Sequence, residues 1–401
     1  MKSLVIVYDG MADRPCPSLG GKTPMQIASK PAMDALAAVS LVGTVCNVPS
    51  GMVPESDTAN LAILSYDPRV YSKGRSPLEA VSMGLTMTDD QTALRCNVVT
   101  LTDEEPYDEK TILDHSAGEI STEEADVLIR ALDEALGTDV RRFYTGVSYR
   151  HCILWSGIAD TYPFARPHDI LGRKIGDYLP KGEDGKPFYE LMKASYEVLR
   201  DHPVNRARRE RGQRVANSIW LWSPGKKPAL PSFYEKWGVK GTVISAVDLI
   251  KGIALCAGME SIDVAGATGN LHTNYRGKAE AAIDAFRRGQ DLVYVHVEAP
   301  DECGHQGDAP GKVLSIEKID AEILSPLVAY LESTNEPYRI LCLPDHPTPV
   351  EIRTHSSESV PFMLYDSEQA YEGVRSLDEE SAAGKQYEIA DGTRLMELLL
   401  S

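Results

Sequence analysis

The sequence has no apolar run long enough to cross a membrane as a helix, and it has no internal repeat or low-complexity tract. Cysteine is scarce, with seven residues in the chain. Their number is odd and no pair has CxxC spacing, so neither a full set of disulfides nor a CxxC motif is indicated. No charged-then-apolar leader precedes the first apolar run, which begins at Leu4. These absences predict a cytoplasmic protein with reduced cysteines and no membrane partner.

Positive charge is also in short supply. The 41 lysines and arginines are outnumbered by 59 acidic residues, for a formal net charge of −18. Such a field disfavours nucleic acid and anionic lipid as partners, and a small anionic substrate would need a local basic pocket. Hydrophobic residues make up 43% of the 401 residues, which is enough for a globular chain of two or three domains.

Short apolar runs alternate with helical patterns in the first and last parts of the chain. Strands are predicted at 4–8, 43–45, 241–246, 291–297, 338–343 and 360–365, and helices at 24–39, 248–259, 278–288, 312–331 and from 392 onward. This alternation predicts a mostly parallel sheet with helices on both faces.

The middle of the chain lacks this regular alternation of strands and helices. Strands are predicted there at 91–101 and 149–155 and a helix at 122–136. We therefore expect an α+β domain at 85–223, inserted into a core made of 1–84 and 224–401.

Several predicted strands end in side chains that bind metals. The candidate ligands that follow these strands are Asp9, Asp301, His305, Asp345, His346 and His355. The carboxyl ends of parallel strands share one edge of a sheet, so these side chains should converge. Mixed oxygen and nitrogen ligands suit Mn²⁺, Zn²⁺ or Co²⁺ better than an all-oxygen Mg²⁺ or Ca²⁺ site, and the number of ligands suits two ions.

Ser56 lies where a loop meets an apolar-periodic segment, so Ser56 or Asp57 is expected to cap a helix. An ordinary cap is the simplest interpretation, but beside two cations the hydroxyl would become a nucleophile at neutral pH. Each candidate alone has a structural alternative. His296, inside a predicted strand, is expected to be a core histidine, and the basic helix at 205–213 is expected to be mostly a solvated charged face. Only the joint pattern indicates phosphoryl transfer.

Taken together, these residues resemble the cofactor-independent phosphoglycerate mutases, in their archaeal-type branch within the alkaline phosphatase superfamily. The matching segments are Asp9-Gly10, Pro54 to Asn60, Tyr66-Asp67-Pro68, Asp301 to His305, Asp345-His346 and His355, and the resemblance spans essentially the whole chain. It implies an α/β fold that is alkaline-phosphatase-like, a doubly wound mostly parallel sheet with an inserted α+β domain that binds substrate and closes as a lid.

The resemblance also implies an activity and a role for each residue. The activity is an isomerase of glycolysis and gluconeogenesis that exchanges 2- and 3-phosphoglycerate without 2,3-bisphosphoglycerate. It implies Asp9, Ser56, Asp345 and His346 around one metal ion and Asp301, His305 and His355 around another, with manganese expected and zinc, cobalt or magnesium as alternatives. Ser56 would become phosphoserine, and Lys251 would offset charge on the transferring group. The implied substrate-binding residues are Arg150, His151, His168, Asp169, Arg206 and Arg209.

One position departs from the pattern, because Pro347 follows Asp345-His346 where many relatives have serine. Proline removes a hydroxyl and an amide donor near the expected metals. Two alternatives therefore remain open: a homoserine kinase-like phosphotransferase of the same branch, and a metal-dependent phosphatase. The sequence leaves the oligomeric state open.

Overall fold

The computed structural model describes residues 1–401. Contacts divide the chain into a core unit, Met1–Ser72 with Ala229–Ser401, and an inserted unit, Lys73–Pro228. The sequence placed these divisions at 84/85 and 223/224. No helix combines the length and the apolar character needed to cross a membrane.

The strands are β1 Lys2–Tyr8, β2 Leu41–Val45, β3 Gln91–Leu101, β4 Ile112–Asp114, β5 Arg141–Val147, β6 Arg150–Ser156, β7 Ser218–Lys226, β8 Gly241–Ile244, β9 Glu260–Ile262, β10 Leu292–Val297, β11 Tyr338–Leu343, β12 Val360–Asp366 and β13 Glu388–Ile389. The α-helices are α1 Pro24–Ile27, α2 Pro31–Ala37, α3 Ser56–Ile63, α4 Pro68–Tyr71, α5 Ser76–Ser82, α6 Thr122–Leu136, α7 Gly182–Leu199, α8 Pro203–Glu210, α9 Phe233–Trp237, α10 Asp248–Cys256, α11 Tyr275–Arg287, α12 Ala299–Gln306, α13 Ala309–Ile319, α14 Ser325–Ser333, α15 Glu379–Gly384 and α16 Leu395–Leu400.

Two predicted helices are interrupted by proline. The helix expected at 24–39 is split into α1 and α2, because Pro31 cannot continue the hydrogen-bond ladder of α1. The helix expected at 312–331 contains a π-helical turn at Asp320–Leu324 before α14 begins. Pro326 has no amide hydrogen to donate within that turn, which accounts for the local change in hydrogen bonding.

The core unit is built on an eight-stranded sheet with the order β13-β2-β12-β11-β1-β10-β8-β9. Pairing is parallel on both sides of β1 and on through β8 and β9, while β12 runs antiparallel to β11 and β2. The predicted α/β fold with a mostly parallel sheet is confirmed.

The register of the central strands decides where the site forms. Tyr8 in β1 lies opposite Val297 in β10, and Val7 lies opposite Leu343 in β11. The three strands therefore end side by side. The side chains of β1 itself are buried between the layers of the core unit. The residues that follow Tyr8 lie at the carboxyl edge of the sheet.

The inserted unit has its own antiparallel sheet, in the order β4-β3-β6-β5, with β7 also paired to β3. Its core contains apolar side chains of α6 and α7, such as Leu128 and Phe188, together with Trp220 of β7. This separate core is what allows residues 73–228 to form a compact unit of their own.

Candidate active site

Ser56 is the first residue of α3, and the rest of that helix is buried. The sequence predicted Ser56 or Asp57 as the helix cap, but the cap position is Glu55, and Ser56 lies one position inside. Its hydroxyl is therefore not used as a cap. Instead, Ser56 Oγ lies 3.3 Å from His346 Nε2, which joins the start of α3 to the residues that follow β11.

Asp9, Asp345 and His346 form one cluster at the ends of β1 and β11, with ligand atoms close enough to hold a cation. His346 Nε2 lies 3.5 Å from Asp9 Oδ1 and 3.7 Å from Asp345 Oδ2. The backbone N–H of Gly10 donates to Asp345 Oδ1 at 3.1 Å, and Asn60 Nδ2 donates to Asp345 Oδ2 at 2.8 Å. These donors fix the orientation of the carboxylate.

Asp301 and His305 lie one turn apart on α12. His305 Nε2 is 3.2 Å from Asp301 Oδ2, and His355 Nε2 is 3.3 Å from Asp301 Oδ1. The His355 ring stacks on the His346 ring with centroids 4.0 Å apart, so the two clusters adjoin. All seven residues predicted as metal ligands therefore lie in one connected group.

The imidazoles of the second cluster are oriented through their Nδ1 atoms. His355 Nδ1 lies 2.6 Å from the carbonyl of Pro54, and His305 Nδ1 lies 3.1 Å from the carbonyl of Arg353. A carbonyl only accepts, so each Nδ1 donates. Each ring has its lone pair at Nε2 when it is neutral, and donates from Nε2 to Asp301 when it is protonated. The two Nε2 atoms are 2.9 Å apart and both face Asp301, an arrangement that calls for a cation or a shared proton between them.

The pKa values of the buried carboxyl groups also favour a cation in the site. Burial, with the nearby charges of Asp345 and Asp301, raises the pKa of Asp9 well above its usual value. Asp9 Oδ1 is buried and has no hydrogen-bond partner. Burial would also raise the pKa of Asp301, but hydrogen bonds from His305 and His355 outweigh it and hold that pKa well below its usual range. A buried carboxylate oxygen without a donor fits a divalent cation.

Two residues near the site, Glu298 and His296, were not predicted from the sequence to belong to it. Glu298, directly after β10, forms a further potential metal-binding group with Asp9 and Asp301. His296 is buried, as expected of a core histidine, but its Nε2 lies 3.2 Å from Asp9 Oδ2. The signal for Glu298 was available, because it too follows an apolar strand. The proximity of His296 depends on strand order, which spacing along the chain does not encode.

Two lysines have different surroundings. Lys251, on α10, pairs with Asp263 Oδ1 at 2.6 Å and lies 3.5 Å from Asp248 Oδ1, instead of contacting the clusters. Lys278, on α11, is buried and donates to the carbonyl of His296 at 2.9 Å. Burial lowers the pKa of Lys278 to about 8. Lys278 is thus a buried lysine near Glu298 and Asp9, and local sequence does not separate it from other helix lysines.

Four of the expected substrate-binding residues lie on or near β6 and the short turn Pro167–Ile170 of the inserted unit. His151 is buried, its Nδ1 accepts from the backbone N–H of Gly146 at 3.1 Å, and burial lowers its pKa to about 4. The neutral ring therefore carries its proton on Nε2, which has no hydrogen-bond partner. Arg150, His168 and Asp169 are exposed.

The basic helix α8 presents its arginines in two ways. Arg206 and Arg209 are exposed, whereas Arg208 is buried, pairs with Glu124 and donates to the carbonyl of Ala117. The inward-facing arginine thus has a structural role. Arg206 and Arg209 remain available to an anion.

Comparisons with known proteins identify the family of the chain. A family model described as 2,3-bisphosphoglycerate-independent phosphoglycerate mutase matches residues 37–205. A probable enzyme of that name from Geobacter sulfurreducens is 48% identical over 402 residues, covering 100% of both chains. An enzyme of the same name from Methanosarcina mazei is 46% identical over 402 residues, also covering 100% of both chains.

Solved structures share the fold along the whole chain. A protein from Pyrococcus horikoshii has a TM-score of 0.82 and 28% identity, covering 99% of this chain and 96% of its own. A cofactor-independent phosphoglycerate mutase from Thermoplasma acidophilum has a TM-score of 0.69 and 28% identity, covering 100% of this chain and 99% of its own. The chain belongs to the family of 2,3-bisphosphoglycerate-independent phosphoglycerate mutases, and the resemblance seen in the sequence is confirmed.

Proposed function

We propose that this enzyme exchanges 2- and 3-phosphoglycerate through a phosphoserine at Ser56, in a site that holds two divalent cations. The observation that carries the proposal is the position of the Ser56 hydroxyl, 3.3 Å from His346 Nε2, beside two carboxylate–imidazole clusters. A serine on the first turn of a helix, next to a site suited to cations, meets the needs of a nucleophile that must approach a phosphate dianion.

The reaction consists of two matched transfers. In the first, a bond forms between Ser56 Oγ and phosphorus, the bond from phosphorus to the substrate ester oxygen breaks, and the serine proton passes to that oxygen. In the second, the other hydroxyl of the retained glycerate attacks phosphorus, the bond from phosphorus to Ser56 Oγ breaks, and the proton of the attacking hydroxyl passes to Ser56 Oγ. No water enters either step. Retention of glycerate between the transfers is what distinguishes a mutase from a phosphatase.

The residues present fit the cations. Asp9, Asp345 and His346, with Ser56, would hold one ion, and Asp301, His305 and His355 would hold the other, with manganese as the proposed metal. When bound, the cations would lower the pKa of the serine hydroxyl and offset the charge of the phosphoryl group. The chain itself supplies the fixed Nε2 acceptors and the buried carboxylates.

Substrate recognition is assigned to the basic residues identified in the sequence. We propose that Arg150, His151, His168, Asp169, Arg206 and Arg209 bind the phosphoglycerate, and that the inserted unit is the substrate-binding domain. The exposed guanidinium groups of Arg206 and Arg209 and the free Nε2–H of His151 support this role. Lys251 is proposed to offset charge on the transferring group, and cytoplasm is the proposed location.

The proposal is tested by supplying purified protein with Mn²⁺ and 3-phosphoglycerate and following 2-phosphoglycerate by ³¹P NMR. The expected result is an equilibrium mixture of the two esters with little inorganic phosphate. A second tube, with ATP and homoserine, tests the kinase alternative. Phosphohomoserine in that tube, or inorganic phosphate as the main product in the first, would replace the mutase assignment with the corresponding alternative.

A further inference from the structure

Thr348 occupies a position between the two proposed ligand sets. It lies in the loop after β11, is fully buried, and its hydroxyl donates to Asp301 Oδ1. The same oxygen lies 3.3 Å from His346 Nδ1. Asp301 belongs to one ligand set and His346 to the other, so a single hydroxyl contacts both.

The direction of these contacts follows from the number of protons available. A threonine hydroxyl has one proton and two lone pairs, while a carboxylate only accepts. The proton therefore goes to Asp301, and the oxygen accepts from Nδ1–H of His346. That assignment leaves the His346 lone pair at Nε2, the atom that faces Ser56 Oγ and Asp9 Oδ1. The opposite tautomer would place a hydrogen at Nε2 and block the same space.

The surrounding backbone is built to hold this hydroxyl. The N–H of Thr348 lies 3.3 Å from the carbonyls of Gly10 and Ala12, and its own carbonyl accepts from Lys312 Nζ at 2.9 Å. Lys312 is buried and paired with Asp13 at 2.8 Å. Backbone hydrogen bonds of Thr348 therefore connect the loop after β1 to the loop after β11.

Glycine at position 10 allows the close approach. Gly10 has φ of +63°, and a Cβ there would lie 2.5 Å from Thr348 Oγ1 and 2.6 Å from Asp301 Oδ1. Any other residue would both strain the backbone and displace the hydroxyl.

We propose that Thr348 is a positioning residue, whose hydroxyl sets the tautomer of His346 and the orientation of Asp301 and so couples the two ligand sets. The proposal rests on the proposed function for its effect on turnover, but its structural part concerns residues of this chain alone. Partners behind a metal ligand commonly change metal affinity or activity about 10–100-fold when removed.

The test compares Thr348→Val, which keeps the shape and removes the hydroxyl, with Thr348→Ser, which keeps the hydroxyl. Mn²⁺ is titrated into the full-length metal-free protein by calorimetry. Thr348→Val should weaken Mn²⁺ binding and lower kcat, each about 10–100-fold, with KM nearly unchanged. Thr348→Ser should restore both. The matched control is Thr242→Val, which removes another buried threonine hydroxyl that donates to a carboxylate, Glu260, at 2.7 Å.

A readout independent of turnover is the His346 tautomer, measured by ¹H–¹⁵N correlation in histidine-labelled, metal-free protein and assigned with His346→Gln. Wild type should show the proton on Nδ1, and Thr348→Val should lose that preference. Wild-type Mn²⁺ affinity and tautomer in Thr348→Val would overturn the inference. Should Thr348→Val fail to fold, Thr348→Ala takes its place with the same expected results. If Thr348→Val weakens Mn²⁺ binding while wild type forms no 2-phosphoglycerate, the proposed function fails and the positioning role stands.

Discussion

Asn60 joins the helix of Ser56 directly to Asp345. Its amide Nδ2 donates at 2.8 Å to the backbone carbonyl of Ser56 and at 2.8 Å to Asp345 Oδ2, and its Oδ1 accepts from the hydroxyl of Tyr294. Ser56 and Asp345 belong to the candidate site, whereas Tyr294 lies in the middle of β10. Asn60 therefore fixes the distance between the proposed nucleophile and one of the proposed ligands.

Asn60→Asp should damage both stability and turnover. The substitution keeps the shape but replaces a double donor with a carboxylate beside Asp345, and a buried group left without its partner costs about 1–3 kcal/mol. Urea unfolding and steady-state kinetics with saturating Mn²⁺ measure the two effects. Asn205→Asp is the matched control, because buried Asn205 donates from Nδ2 to carbonyls at 2.8 and 2.9 Å in the inserted unit. It should lose similar stability with less effect on kcat. Equal kcat losses in the two variants would remove the positioning role of Asn60.

Ser56→Ala should retain the fold and lose turnover by about 10⁴-fold or more, since losses of this size follow removal of a nucleophile. Circular dichroism checks the fold and coupled assays check the rate. Acid-quenched wild type should yield a phosphopeptide containing Ser56, and the variant should not. Ser333→Ala, at an exposed position on α14, serves as the control and should behave as wild type. Substantial turnover by Ser56→Ala would exclude the covalent route.

His305→Ala should lower the affinity for one of two Mn²⁺ ions, because His305 Nε2 lies 3.2 Å from Asp301 and 2.9 Å from His355 Nε2. Loss of one ligand from a site of this kind is expected to weaken binding at least about 10–100-fold. Calorimetric titration gives the stoichiometry, with exposed His272→Ala as the comparison. Unchanged stoichiometry and affinity would remove His305 from the ligand set.

The contribution of His305 to the stability of the metal-free protein should fall as the pH rises from about 6.5 to about 8. The hydrogen bond with Asp301 raises the pKa of His305 to about 9. The folded state therefore keeps a proton that the unfolded state releases in this window, and stability falls with pH. The raised pKa of His355, whose ion pairing with Asp301 outweighs its burial, acts in the same direction. Above about 8 the lowered pKa of Lys278 acts oppositely, which sets the upper limit.

The measurement is the melting temperature in EDTA and in Mn²⁺ at both ends of that pH range. Since protons and metal compete for the same imidazoles, the gap between the two melting temperatures should widen with pH. His305→Ala should reduce the slope in EDTA. The same slope in wild type and His305→Ala across this window would contradict the assignment of the raised pKa to His305.

The sequence predicted the central architecture because its strands are short, continuous apolar runs, and the side chains that follow them stand out. Asp9, Asp301 and Asp345 were found by this rule, and the parallel pairing of β1 with β10 and β11 brings them together. The prediction was less accurate where local patterns are ambiguous. No helix was predicted between 291–297 and 312–331, yet α12 forms there and carries both Asp301 and His305.

Other features depended on contacts between distant segments. Thr348 resembles any loop threonine until Gly10 and Asp301 are placed beside it. Along the chain, Lys278 looks like the exposed basic residues Arg276 and Arg287 of the same helix, and only the position of α11 against β10 shows that Lys278 is buried. Pairwise geometry of this kind is set by strand order and helix placement, which periodicity does not specify.

The placement of β1 between β10 and β11 has a consequence for the timing of synthesis. The first strand leaves the ribosome long before β10 and β11. Asp9 can therefore contact the other residues of its cluster only after the last third of the chain has been synthesised. Cells should therefore accumulate no active fragments from interrupted translation, because a polypeptide that stops short of Asp345 lacks part of the proposed ligand set.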